Sequence, residues 1–263
     1  MLNALTTFAA TDVNAARALM ADSLGFHIIF ALLGVGLPLV ISLFELWSIR
    51  RKDERLREAA RRLSFIAIVL VVAGVVSGTI LAIQMPLMWP GLVEFGGPIV
   101  GLPFMFEGYM FLFEAIFLAI YIATWKKIRG IKHWLLSIPV VIGALGSAFF
   151  ITTVNSWMQK PGGFDGINAA GQLINPNVWE GIFTKTTFFM TTHSILGYYL
   201  ATFLVVLGGY AWYLWRKKPQ EADRETAEFL MKRLAILALG TGILVGGLGH
   251  FNLQYLASSQ PHK

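Results

Sequence analysis

"GLPFMFEGYMFLFEAIFLAIYIATW", residues 101–125, is twenty-five residues long and carries only two charged side chains, Glu107 and Glu114. About 20 mostly apolar residues suffice to cross the hydrocarbon core of a bilayer as a helix, so this stretch reads as a membrane span. An ionised carboxylate in apolar surroundings is costly unless it is paired or protonated. Acids within a span therefore mark a pathway or a ligand site. The two are seven residues apart, close to two helical turns, so both project from one face.

Composition extends the reading to the rest of the chain. Of the 263 residues, 56% are hydrophobic and 14% charged, against about 25% charged in soluble domains. Five further stretches match the first in character, giving spans at roughly 25–48, 63–85, 102–125, 134–158, 185–215 and 233–256. Strands would leave backbone groups unpaired in lipid, so the spans are helices. Gly74, Gly78, Gly143 and Gly146 lie within them, where small residues let helices approach closely. The expected fold is an all-α integral membrane protein, a bundle of six transmembrane helices in one domain, 1–263. Residues 1–24 read as a short amphipathic lead-in at the interface. They hold Asp12, Asn14 and Arg17 without the long apolar core of a signal peptide.

The loops set the orientation. Arg50–Arg62 carries seven Lys/Arg, 126–133 four, and 216–233 six. Residues 86–101 carry none and 159–184 only Lys160. Thus 17 of 21 basic residues fall on one side, which the positive-inside rule makes cytoplasmic. Both termini then face outward. The net charge of +6 is a topology signal, not a nucleic-acid surface.

Cysteine is absent, which removes disulfides, thiolate chemistry and Cys-ligated metals. The remaining intramembrane polar groups are few. This topology gathers His27, Glu107, Glu114 and His193 at similar depth in the outer half. Each also has a plain structural reading. A lone histidine can bond a neighbouring helix, and Thr191, Thr192 and Ser194 surround His193. His250, followed by Asn252 and Gln254, reads as interfacial. Glu45, beside the basic loop, reads as a salt bridge to Arg50 or Arg51. The stacked acids suit a proton relay or a haem-side acid. Two histidines without an acidic metal box fit haem better than zinc. No HExxH, P-loop or GxSxG context is present.

Several segments, in order, resemble subunit I of cytochrome bd-type quinol oxidases in its N-terminal half. "RALMADSLGFHIIF" is similar to that family's first helix, with Arg17 ten residues before His27. "GVVSGTILAIQMPLMW", residues 74–89, is similar to its second-helix end, including Gln84 and Trp89. "FEGYMFLFEAIFLAIYIATW" resembles its two-glutamate third helix, and "NSWMQKP", residues 155–161, its GWMQNP motif. "THSILGYYLATFLVVLGGYAWYLW" resembles its fifth helix, and "YLASSQPHK" the opening of its external quinol-binding loop.

The resemblance implies roles. His27 would be the axial ligand of a high-spin haem at the oxygen-reducing pair, and His193 one ligand of a low-spin haem b. Glu107 and Glu114 would be the proton-delivering acids. Trp157, Met158 and Gln159 would lie near the low-spin haem and quinol, and Lys263 would contact quinol. The implied cofactors are haem b in low- and high-spin forms, with haem d as the chlorin alternative. The implied activity passes electrons from quinol through haem b to high-spin haems. Oxygen is reduced to water there, generating a proton gradient in a prokaryotic cytoplasmic membrane.

Two departures stand out. The family's acids are typically eight apart, so a π-bulge or local unwinding is one way to restore their geometry here. The family's subunit I also continues through further helices that supply a Met for the low-spin haem. Either the chain is a fragment, or it is a naturally short subunit whose expected partner, a second membrane subunit, subunit I-like or subunit II-like, supplies the rest in a hetero-oligomer. Two other readings stay open. One is a haem or quinol electron-transfer or accessory subunit whose oxygen chemistry is lost, altered or carried by the partner. The other is a transporter or assembly scaffold that keeps the fold without haem.

Overall fold

A computed structural model describes residues 13–217 and 219–259. Eight helices and one small hairpin follow in order: α1 Val13–Arg51, α2 Glu54–Met88, α3 Pro90–Ala123, α4 Ile131–Trp134, α5 Ser137–Gln159, β1 Gly166–Ile167, β2 Leu173–Ile174, α6 Val178–Ile182, α7 Lys185–Lys217 and α8 Glu221–Ser259. Among the described residues, six helical segments are long and apolar enough to cross a membrane. Each contains or closely matches an expected span. Residues 13–24, read from sequence as part of a separate lead-in, are the first turns of α1 itself.

Local chemistry explains the breaks between helices. Lys52 takes a positive φ of 55°, and the Asp53 side chain then accepts from the Arg55 amide to start α2, satisfying an otherwise orphaned donor. Pro90 occupies the first turn of α3, where its missing N–H costs nothing. The segment after α5 folds on itself. β1 and β2 pair antiparallel, and Asn177 caps α6 through the amides of Trp179 and Glu180.

The most extensive packing joins α1 to α2, α3 to α5, and α7 to α8. The inner helices α1, α5 and α7 also pack against one another. Gly143 marks the closest approach of α5 to α3: a Cβ there would lie 2.8 Å from the Glu114 backbone nitrogen.

The core sits toward the basic-loop end. Val40, Phe44, Leu56, Ala60, Leu230 and Leu234 are all wholly buried there. The basic loops meet at that end: an Arg57 Nη donates to the Trp125 carbonyl at 2.7 Å, and Arg55 faces Asp223 at 3.6 Å. A smaller buried cluster of Ile99, Val100, Val154 and Trp157 sits in the other half, where α1 is the open element. Between Val13 and Gly34 of α1, only Ala16 is buried.

Candidate haem and proton site

His27 and His193 occupy matching settings in two different helix pairs. The half-buried His27 of α1 places Nδ1 2.9 Å from Ser77 Oγ of α2. Its ring lies against Gly78, where an added Cβ would come within 3.1 Å of Cε1. His193 of α7 lies against Gly249 of α8, where a Cβ would come within 3.0 Å of Cε1. Each ring thus uses the space that a glycine leaves on the helix beside it. The polar partners differ. His193 Nδ1 is buried without a hydrogen-bond partner, a situation rare enough in folded proteins to require a reason.

Helix registers fix the relative heights. Gly36 of α1 abuts Thr202 of α7. Nine residues separate Gly36 from His27, and nine separate Thr202 from His193, so the histidines share one level. The Tyr121 hydroxyl donates to Glu45 Oε2 at 2.7 Å, tying α3 to α1. Eighteen residues separate Glu45 from His27, fourteen separate Tyr121 from Glu107, and seven separate it from Glu114. At about 1.5 Å per residue, this register leaves Glu107 within about a turn of the histidine layer and Glu114 two helical turns farther toward the basic-loop end. The expectation of four groups at similar depth is therefore corrected for Glu114, which lies deeper.

Both acids face α5. Glu107 is half-buried and accepts from Ser147 Oγ at a long 3.4 Å. Glu114 is 3% exposed and packs at Gly143, and its Oε1 has no partner. Ser147 and Gly143 are four residues apart on α5, one helical turn. α3 runs as unbroken α-helix through both acids. The seven-residue spacing is thus accommodated without a π-bulge, and it brings both acids to the same neighbour.

Trp157 is buried at the C-terminal end of α5, and its indole N–H donates to the Gly162 carbonyl at 2.9 Å. Met158 next to it is exposed, and Gln159 is half-buried. This segment is tied to the histidine helix: Thr152 donates to Thr191 at 3.1 Å, and the Ser156 and Thr187 hydroxyls meet at 3.1 Å. Arg17 is exposed on the first turns of α1. Lys263 lies outside the described residues. His250 is exposed, with Nε2 3.0 Å from the Gln254 amide nitrogen. Above His193, an open groove of about 670 Å³ is lined by Phe183, Phe188, Phe189, Phe251 and Tyr255 among others.

Glu45 departs from its expectation. It pairs with neither Arg50 nor Arg51. Its Oε1 lies 2.6 Å from His133 Nδ1, and Oε2 receives the Tyr121 hydroxyl. His133 Nε2 is 3.0 Å from the Tyr121 carbonyl. The reason is burial. Glu45 is 1% exposed and His133 is fully buried, whereas Arg50 and Arg51 point to solvent and Arg51 stacks over Phe229. His133 sits in "KKIRGIKH", a loop whose charges dominate its reading, so sequence gave no sign of this partner.

These residues fit a haem pair better than a compact metal site. Among the described residues no group of three or more His, Cys, Asp or Glu could hold a metal ion. The observed features are two level imidazoles, glycine cradles, a buried unpartnered ring nitrogen and an open stretch of α1. A flat apolar macrocycle between helices needs such space and such donors.

Known proteins share the sequence and the fold. Residues 15–263 match the family model for cytochrome bd terminal oxidase subunit I. A Bacillus subtilis (strain 168) protein provisionally assigned as cytochrome bd menaquinol oxidase subunit I is 33% identical over 256 residues, covering 96% of this chain and 56% of the relative. A cytochrome bd ubiquinol oxidase subunit 1 from the same organism is 30% identical over 260 residues, covering 94% and 52%. A chain from the structure of bd oxidase from Geobacillus thermodenitrificans superposes with a TM-score of 0.87 at 33% identity, covering 94% of this chain and 56% of that one. The chain spans about half the length of the curated relatives it matches. With six apolar helices, a matched fold and a family model covering nearly every residue, this multi-pass prokaryotic membrane protein belongs to the cytochrome bd terminal oxidase subunit I family.

Proposed function

We propose that this chain is a haem-binding subunit of a bd-type quinol oxidase complex, acting with a second membrane subunit. The observation that carries the reading is the pair of level histidines, each seated on a glycine, in the half of the bundle where α1 is open. In this reading His27 and His193 each present one imidazole nitrogen to a haem iron, that of a high-spin haem at His27 and that of a low-spin haem b at His193. Bound haem supplies the redox chemistry that takes electrons from quinol and reduces oxygen to water.

The chain's own residues do the rest. The aromatic groove above His193 has the shape and lining for a quinone ring. Tyr255 stands at its edge and receives the Lys160 ammonium at 3.2 Å. The Thr152–Thr191 and Ser156–Thr187 hydroxyl bridges hold the end of α5 against α7 and so support the wall beside His193, and Trp157 ties that end of α5 to the loop at Gly162. Glu114 and Glu107 stand as successive proton carriers along the α3–α5 contact. The Ser147 hydroxyl at Glu107 supports a relay in that direction. With the basic loops cytoplasmic, protons ascend from the cytoplasm through Glu114 to Glu107, while quinol is oxidised at the outer end.

A second reading leaves this chain an electron-transfer or accessory role, with oxygen reduction carried by a partner subunit; the unpartnered His193 ring and the adjoining groove serve electron transfer in either reading. Reduced-minus-oxidised spectra of the purified complex separate the readings. The primary reading expects b-type bands together with a high-spin signal that disappears in His27→Ala, and loss of the low-spin b band in His193→Ala. A high-spin signal untouched by His27→Ala favours the second reading. A complex without any haem signal overturns both.

A further inference from the structure

We infer that Ser77 is a positioning residue that fixes the tautomer of His27, so that His27 presents Nε2 as its lone-pair donor. This rests on the reading of His27 as a haem ligand. A serine hydroxyl has one proton to donate and lone pairs to accept with. Ser77 Oγ lies 2.8 Å from the Ala73 carbonyl oxygen and 3.3 Å from that of Gly74. A carbonyl oxygen only accepts, so the Ser77 proton is committed to its own helix. With its proton on the Ala73 carbonyl, Ser77 accepts from His27 Nδ1, 2.9 Å away, and Nδ1 carries the hydrogen. A neutral imidazole protonated at Nδ1 has its lone pair at Nε2.

The arrangement sets ring orientation as well as tautomer. Ser77 is buried at 5% exposure, so the bond is shielded from competing water. The next residue, Gly78, supplies the flat surface on which the ring rests. Two consecutive residues of α2 thus define the plane and the free nitrogen of a side chain on α1. Back-bonding from serine to the i−4 carbonyl is an ordinary helical habit. Here its consequence is extraordinary only in direction, because it turns a two-way hydroxyl into a one-way acceptor. His193 has no equivalent: its Nδ1 lacks any partner. The two imidazoles are therefore unequal donors. An N–H that donates to a fixed acceptor makes the opposite nitrogen the stronger ligand.

The test uses the intact complex in detergent, reading the iron–histidine stretch of the reduced high-spin haem by resonance Raman spectroscopy. Ser77→Ala should lower that frequency and reduce high-spin haem retention about 10-fold, with the low-spin b band unchanged as a folding control. Ser77→Thr, which keeps a hydroxyl able to back-bond, should restore both. An unchanged frequency and haem content in Ser77→Ala overturns the proposal alone. A high-spin haem that survives His27→Ala overturns the ligand reading and the proposal together. Should Ser77→Ala abolish assembly, Ser77→Cys replaces it. A thiol is a weak acceptor, so its frequency should fall below that of Ser77→Thr, and equal frequencies overturn the inference.

Discussion

At the residue scale, the two acids on α3 differ in setting more than in kind. Glu114 is nearly sealed and leaves an oxygen unpartnered, while Glu107 is half-buried with a serine neighbour. A proton carrier held away from water has no substitute, whereas one nearer to solvent can be bypassed. On the oxidase function proposed above, Glu114→Gln should therefore lower quinol-dependent oxygen consumption by about 10²-fold or more, the scale of lost acid–base participation, with the haem spectrum retained. Glu107→Gln should cost less. Equal losses in an oxygen-electrode assay would remove this ranking. Sequence disclosed both acids and their shared face. It did not disclose that one helical turn of α5, from Gly143 to Ser147, serves them both, because that contact joins residues 29 to 40 positions apart.

At the element scale, the basic-loop end is held by side chains from three helices. Glu45 of α1, Tyr121 of α3 and His133 of α4 close a wholly buried hydrogen-bonded ring. Ser137 adds a bond to Ser42 Oγ at 2.9 Å, linking α5 to α1. Replacing Glu45 by Ala strands the Tyr121 hydroxyl and the His133 Nδ1 in an apolar interior. Each stranded group costs about 1–3 kcal/mol. Glu45→Ala should accordingly lower the thermal unfolding midpoint of the detergent-solubilised protein by several degrees, and Tyr121→Phe by less. Unfolding followed by circular dichroism measures both, and midpoints equal to the parent's would remove the ring from the account of stability. Helix existence was legible from hydropathy. Helix length was less so, because the ends run past the apolar windows on capping and side-chain contacts such as Asp53 to Arg55.

At the scale of the whole molecule, the structure separates a packed half from one where α1 is open. Loop charges assign the packed half to the cytoplasm, and the absence of cysteine makes that assignment directly measurable. Single cysteines placed at Lys127 in a basic loop and at Asn168 in the β-hairpin segment should label oppositely with a membrane-impermeant thiol reagent. In right-side-out vesicles Asn168→Cys should react and Lys127→Cys should not. The opposite pattern would invert the proton route proposed above. The open half, with apolar side chains of α1 such as Phe26 and Ile29 exposed, is where haem and a second subunit would find surface.

Sequence by itself determined six helical spans, the segregation of basic loops and the identity of the polar residues that stand out in lipid. These follow from transfer energetics acting on each segment alone, which is why composition and spacing suffice. Tertiary structure alone decided which groups meet. It set the common level of His27 and His193, the deeper position of Glu114, the pairing of Glu45 with His133 rather than arginine, and the contact of Ser77 with His27. Each depends on the register between helices, and register is set by where a glycine lets two backbones close and where a buried donor finds its acceptor. Those choices involve residues tens to hundreds of positions apart, and no local pattern in the chain records them.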